Sequence, residues 1–369
     1  MFNRFRKFAG RINKALNDPD RKSVFRIFTE YAGYKISNAA IAEQYFEKYL
    51  YRKDIVNPDD FIVTRKVMAD MWKLNNVHYV SILKDKYLTE LFFTGYGIPV
   101  VKSLAYNRSS LFFRNGRLYQ VDKVEDFKKF LLSLNEEGHW DTEYLIIKKK
   151  SDSAEGKNIF RISVSDILKN NDILQHVFSE ILKSEYLFQN FITQHPELNR
   201  LNPRSVNTVR IDTFTNQEGE IQIYNSMLRT GSGNHFIDNV SQGGLAIGID
   251  QNRGVLFPES HTFFTGYNPA KSRYAHPVSG TLFEGFQVPY FNEAKQLAVD
   301  AAEKLPQVKL AGWDIAIQPD GPVLIEGNNN SAIPLYEVLQ KGYKNNAVVV
   351  EILKETYNFQ NNNKYKVSY

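Results

Sequence analysis

Near the C-terminus the segment AGWDIAIQPDGPVLIEGNNN, residues 311–330, sets Asp314, Glu326 and Asn328 among apolar neighbours. Its two apolar runs, separated by Pro319-Asp320-Gly321, predict two strands joined by a tight turn. Strand residues two apart share a face, so Glu326 and Asn328 project together, and the turn brings Asp314 within reach of that pair. Two carboxylates and an amide oxygen at one point are hard oxygen ligands, of the kind Mg²⁺ takes while keeping waters and binding substrate phosphates. The alternative is a pair of solvent-facing acids on an edge hairpin. Trp313, Ile315, Ile317, Val323, Leu324 and Ile325 speak against it, because they imply burial and a buried unpaired carboxylate is costly.

Other chemistries lack their residues. The chain has no cysteine, which removes disulfides, thiolate zinc sites and a cysteine nucleophile together. There is no GxxxxGK[ST] phosphate loop, no GxGxxG opening a helix after a strand, no GxSxG and no HExxH, and the seven histidines are scattered. The charge of +5 at neutral pH favours anionic partners, but no zinc-finger spacing, RNA-binding aromatic–glycine motif or long basic tract accompanies it, so nucleic acid is not expected.

The elements that must position these residues read as α+β. Residues 1–75 are mostly helical. They begin with a basic amphipathic helix over 2–16, where Phe2, Phe5, Phe8, Ile12 and Leu16 recur at three- and four-residue steps between Arg4, Arg6, Lys7, Arg11 and Lys14. That stripe suits an anionic membrane surface or the protein's own core. A helix over Asp85–Thr94 stops at Gly95 and Gly97, Asn115-Gly116 marks a hairpin, and a helix follows over Val124–Leu134. From Glu143 short apolar runs alternate with turns, as in antiparallel sheet, and helices over Asn292–Leu305 and Pro334–Tyr357 close the chain. The expected units are 1–75, helical; 76–142, an α/β subdomain; 143–192, a small subdomain, which the family resemblance given below makes nucleotide-clasping; and 193–369, which carries the metal candidates. No run of residues is apolar enough for a membrane span and no secretory signal is visible, which places the chain in the cytoplasm, with peripheral contact at the inner membrane face through residues 2–16 as an option.

Taken together, the D-x₁₁-E-x-N ending, the Asp85-Lys86 helix before Gly97-Ile98-Pro99, the lysine-ended strand at Lys148 and the segment LFQNFI resemble the ATP-grasp superfamily. SVNTVRIDTF, LRTGSGNHFIDNVSQGG, HPVSG and GWDIAIQPDGPVLIEGN narrow the resemblance to the sugar-transfer associated branch, over roughly residues 80–345. The resemblance implies two α+β subdomains clasping ATP with Mg²⁺. It implies that Lys86 and Lys148 contact nucleotide phosphates, that the loop 151–157 with Gly156 closes over them, and that Gln189 to Phe191 form the adenine hinge with Phe188 or Phe191 on the base. Asn239 and Gly243-Gly244 would shape the phosphate or acceptor end. In EYLIIKKK, Lys148 and Lys150 share one face and Lys149 takes the other, so Lys149 is a rival to Lys148 set by register alone. Some ATP-grasp ligases carry an arginine two residues before the first metal carboxylate. Here that residue is Gly312, which shifts the duty to Arg210 or Arg229, whose guanidiniums suit a transferring phosphoryl group.

The resulting expectation is an ATP- and Mg²⁺-dependent ligase that activates a carboxylate, from a small molecule or glycan, as an acyl phosphate for capture by an amine or other nucleophile, in polysaccharide or glycoconjugate synthesis. A kinase acting on a sugar hydroxyl is the rival, and it would draw a general base from His235, Asp238 or Asp212. A nucleotide-binding module without catalysis is a third reading.

Overall fold

The computed structural model describes residues 2–138, 140, 142–151, 159–233, 244–262, 274–330 and 333–364, with backbone alone for 2–7, 334 and 362–364. Gly156, Asn239, Gly243, His235 and Asp238 lie outside the described residues.

Twelve strands among the described residues form two six-stranded antiparallel sheets. The first runs β3-β2-β1-β6-β4-β5 and comprises β1 (Ser103–Arg108), β2 (Leu111–Arg114), β3 (Arg117–Gln120), β4 (Leu145–Lys149), β5 (Ile159–Ile162) and β6 (Tyr186–Asn190). The second runs β10-β9-β8-β7-β11-β12 and comprises β7 (Thr208–Thr215), β8 (Ile221–Thr230), β9 (Leu245–Ile249), β10 (Leu256–His261), β11 (Leu310–Gln318) and β12 (Gly321–Asn328). The β2–β3 hairpin turns at Asn115 and Gly116, both at positive φ (48° and 72°), as a two-residue turn requires.

Period two decides which way each strand faces. In β4, Leu145 and Ile147 point into a core shared with Phe127, Phe130, Leu131 and Leu134 of the Val124–Glu136 helix. Ile146 and Lys148 take the other face, opposite Gln189 and Leu187 of β6. In the second sheet Val209, Ile211, Trp313, Ile315 and Ile317 pack against the Phe291–Lys304 and Lys86–Gly95 helices. The other face, with Phe214, Tyr224 and Met227, is covered by the Ile333–Leu339 and Ala347–Lys364 helices and by Val63 and Met71.

Three expectations change. The boundary at 142/143 does not divide the structure, because β1 pairs with β6 and the strands on either side of it share one sheet and one core. The single helix expected over Pro334–Tyr357 is two, Ile333–Leu339 and Ala347–Lys364, and the break is held by the Asp60 carbonyl, which accepts from Tyr343 N (2.9 Å) and Lys344 N (3.1 Å). Strand β10 escapes the sequence reading because it is an edge strand with Pro258 inside it and an irregular register against β9.

The two sheets meet where the site lies. The Lys86–Gly95 helix is N-capped by Asp85, whose carboxylate accepts from Tyr87 N (2.9 Å) and Leu88 N (3.1 Å), while Lys86 N donates to Lys150 O just past β4 (2.9 Å). Val101 N donates to Leu324 O (3.0 Å) and Leu324 N to Pro99 O (2.9 Å), so residues 99–101 add to the outer edge of β12. These bonds hold the end of β4 over the end of β12.

Candidate active site

A row of side chains crosses the second sheet, Met227 of β8, Arg210 of β7, Asp314 of β11 and Glu326 of β12, each directly opposite the next. The last pairing depends on a bulge. From the turn upward the register runs Gln318↔Gly321 to Ile315↔Leu324, and continued unbroken it would set Asp314 opposite Ile325 and turn Glu326 to the face of Trp313. The register shifts between Asp314 and Ile315 instead, and Asp314 faces Glu326. Gly327 lets the bulged strand lie flat on the core, since a Cβ there would sit 2.7 Å from Leu83 Cδ2 and 2.9 Å from Trp313 Cζ3.

Asp314 is 1% exposed and held by three side chains. Arg210 grips it with Nε and Nη2, the latter 2.8 Å from Oδ2. Arg229 Nη2 stands 3.0 Å from Oδ2, and Asn328 Nδ2 donates to the same oxygen at 3.2 Å. Burial alone would raise the Asp314 carboxyl, but the two guanidiniums outweigh it and hold the group well below the usual carboxylate range. Arg210 also donates to the Tyr336 hydroxyl (3.0 Å), and Arg229 Nε donates to Thr208 Oγ1 (3.0 Å). Gly312 lies between Asp212 and Asn328 in the next row of the sheet.

Glu326 differs. Its side chain is 27% exposed, and it contacts the Asp314 carboxylate and, at 3.3 Å, Lys86 Nζ. Two carboxylates in contact suit a cation between them, and that contact, with an amide alongside, fits a divalent ion. Among the described residues no three His, Cys, Asp or Glu side chains converge, so the donor set is two carboxylates and Asn328.

Across from this row stand the lysines. Lys148 is buried, and the loss of solvent, together with the charge of Lys86, pushes its ammonium down to about 8. Lys149 leaves on the opposite face of β4 and Lys150 is held by Glu185 (2.7 Å) and Asp85 (3.4 Å), so the register favours Lys148. Lys148→Met is expected to leave the unfolding temperature unchanged or higher, because a reluctantly buried ammonium is removed, while weakening ADP binding about tenfold or more. The same pKa gives a pH test. Phosphate favours the charged ammonium, so ADP binding takes up protons near pH 8 and weakens as pH rises past it. Calorimetry in buffers of different ionisation enthalpy measures that uptake. A Lys148→Met protein that binds ADP as tightly as the parent would remove this lysine from the site.

Gln189 of β6 lies opposite Ile146 of β4, on the same face as Leu187, and donates to Ser103 Oγ (3.1 Å). Of the two aromatics expected on the base, Phe188 is fully buried in the core on the other face of the sheet. Phe191 stands just past β6, its N–H donating to Tyr144 O (3.1 Å) and Thr142 Oγ1 (3.1 Å). Three residues enter the site without having been singled out. Glu90 is buried, accepts from Ser103 N (2.9 Å) and adds its charge beside Lys148, and its signal in the sequence is an acid three residues before Phe93 on the buried side of a helix. Tyr336 orients Arg210, and Thr208 orients Arg229. Asp212, a candidate base, is fully enclosed and accepts from Asn225 Nδ2 (2.8 Å). His276 of HPVSG is structural, its Nε2 2.7 Å from Gly231 O and its Nδ1 accepting from Val278 N (3.3 Å).

The model of the sugar-transfer associated ATP-grasp family matches residues 71–351, about three quarters of the chain and all of the site residues named in this subsection. The chain belongs to this family. No curated protein matches it. Among solved structures, D-alanine–D-alanine ligase from Bacillus anthracis has a TM-score of 0.44 at 11% identity, over 78% of this ATP-grasp chain and 72% of its own. D-cycloserine synthetase DcsG has 0.42 at 11% identity, over 79% and 78%. N5-carboxyaminoimidazole ribonucleotide synthetase from Thermotoga maritima has 0.35 at 15%, over 68% of this chain and 43% of that one, so the chain spans less than half of that protein's length. Likenesses this distant bear on no substrate and no residue role. Among the described residues of this ATP-grasp protein, no helix is long and apolar enough to cross a membrane.

Proposed function

We propose that this ATP-grasp chain is an ADP-forming ligase that activates a carboxylate and joins it to an amine, in the synthesis of a cell-surface polysaccharide or glycoconjugate. One observation carries the reading. Lys86, Lys148, Arg210 and Arg229 gather around Asp314 and Glu326, a set of cations suited to receive a triphosphate and an anionic acceptor together. In this reading the adenine lies along Ile146, Leu187 and Gln189, near Phe191, and Lys148 and Lys86 hold the phosphates. Asp314, Glu326 and Asn328 would hold Mg²⁺, which when bound offsets the charge of the phosphate oxygens.

A carboxylate oxygen attacks the γ-phosphorus in line, the bond to the β-phosphate oxygen breaks, and ADP leaves. The amine then attacks the acyl carbon, losing a proton, and inorganic phosphate departs. A carboxylate is already ionised at neutral pH, so the first step is a matter of placing two anions side by side, which the arginines and lysines do. With hydroxylamine in place of the amine, ATP and the correct uronic or amino acid are expected to give a hydroxamate and stoichiometric ADP. A stable phosphorylated sugar with no hydroxamate would replace the ligase reading with the kinase one.

A further inference from the structure

The N-terminal helices precede the residues matched by the family, and the site does not use them. The first of them, Phe2–Leu16, spends the apolar side chains of its described part on the protein itself. Phe8 packs on Tyr31 and Phe46 (ring centroids 6.0 and 5.8 Å), Ile12 joins the same cluster and Ala15 is fully buried. The second, Val24–Ser37, turns Ile27 inward and leaves the opposite arc bare. Phe25 is 79% exposed, Phe28 51% and Ile36 91%, and Val24 adds 39%. At 100° per residue these four side chains lie within one third of the helix circumference, a continuous apolar stripe rather than scattered exposure.

Charge singles out the partner. Residues 1–37 hold nine lysines and arginines against three acids, a net of +6, so the remaining 332 residues sum to −1. The net positive charge of the chain therefore falls in the stretch of sequence that holds these first two helices. Lys35 lies within its arc, between Val24 and Phe28 on the helical wheel. Apolar side chains on the outer side of a helix with a lysine among them, in the part of the chain that carries its net positive charge, match a bilayer surface that offers acyl chains beneath anionic headgroups. We infer that the Val24–Ser37 helix docks this protein reversibly on an anionic membrane surface, with Phe25, Phe28 and Ile36 entering the headgroup layer. The contact is thereby moved from the apolar side of residues 2–16, whose described part is already covered, to the outer face of the following helix. It would hold the cleft close to a membrane-bound acceptor or product.

Flotation of the full chain with vesicles tests this. The expected result is co-flotation with vesicles of phosphatidylglycerol and phosphatidylcholine at low salt, little with phosphatidylcholine alone, and loss of binding as salt rises. The triple variant Phe25→Ser, Phe28→Ser, Ile36→Ser should lower partitioning about tenfold or more, with an unchanged unfolding midpoint and unchanged ADP binding, since none of the three touches the core or the site. Absence of binding to anionic vesicles, or equal binding by the variant, overturns the inference. A dimer of the parent chain that the variant abolishes, without vesicle binding, would assign the stripe to a second copy instead.

Discussion

Glu326→Ala is expected to lower ATP turnover about a thousandfold or more while leaving the fold intact. The carboxylate is partly exposed and meets Lys86 at 3.3 Å, so its loss should change stability far less than removal of the buried Asp314. Its expected role is in holding Mg²⁺ on the triphosphate, a contribution of several kcal/mol to the transition state at about 1.4 kcal/mol per tenfold in rate. The accompanying binding signature is specific. ADP should bind the parent more tightly with Mg²⁺ than without it, and the variant should lose most of that difference. Unchanged turnover in a folded Glu326→Ala protein would remove this residue from the metal site.

Asp314→Ala should behave in the opposite sense and unfold the protein more readily, by about 3–5 kcal/mol, because it strands the buried Arg210 guanidinium and deprives Arg229 of its counter-charge. Urea unfolding at neutral pH measures this directly. Paired replacement with Arg210→Met and Asp314→Leu should recover part of the stability, since the strain lies in the uncompensated charge, yet no activity should return. The pH dependence follows with a definite sign. The folded-state pKa of Asp314 lies below its unfolded value, so its contribution is complete above about pH 4, the unfolded carboxyl value, and is lost as pH falls toward the folded one. The parent should therefore lose stability on acidification below that point more steeply than the double variant. Equal unfolding midpoints for Asp314→Ala and the parent would mean that the arginines are satisfied elsewhere.

Much of this site was legible because strand periodicity and residue chemistry are local. The alternation in EYLIIKKK separates Lys148 from Lys149, the turn at Asp320-Gly321 joins β11 to β12, and the spacing of Glu326 and Asn328 puts them on one face. The helix broken at Asp60 was not legible, because the carbonyl that stops it comes from far away in the chain. Nor was the fate of Phe188. An aromatic in a strand has the same local pattern whether it faces a ligand or a core, and only the Val124–Glu136 helix packed on that face of the sheet decides between them.

The pairing at the centre of the site shows where the division falls. Sequence determined that two acids and an amide sit in adjoining apolar strands with arginines nearby. An unbroken hairpin from the turn, however, would have placed Glu326 on the far side of the sheet from Asp314. The one-residue bulge that reverses this sits where Gly327 lies flat on Leu83 and Trp313, and where residues 99–101 bond to the outer edge of β12. Since side chains alternate with period two, the register of a single residue settles whether the carboxylates meet, and long-range packing set that register.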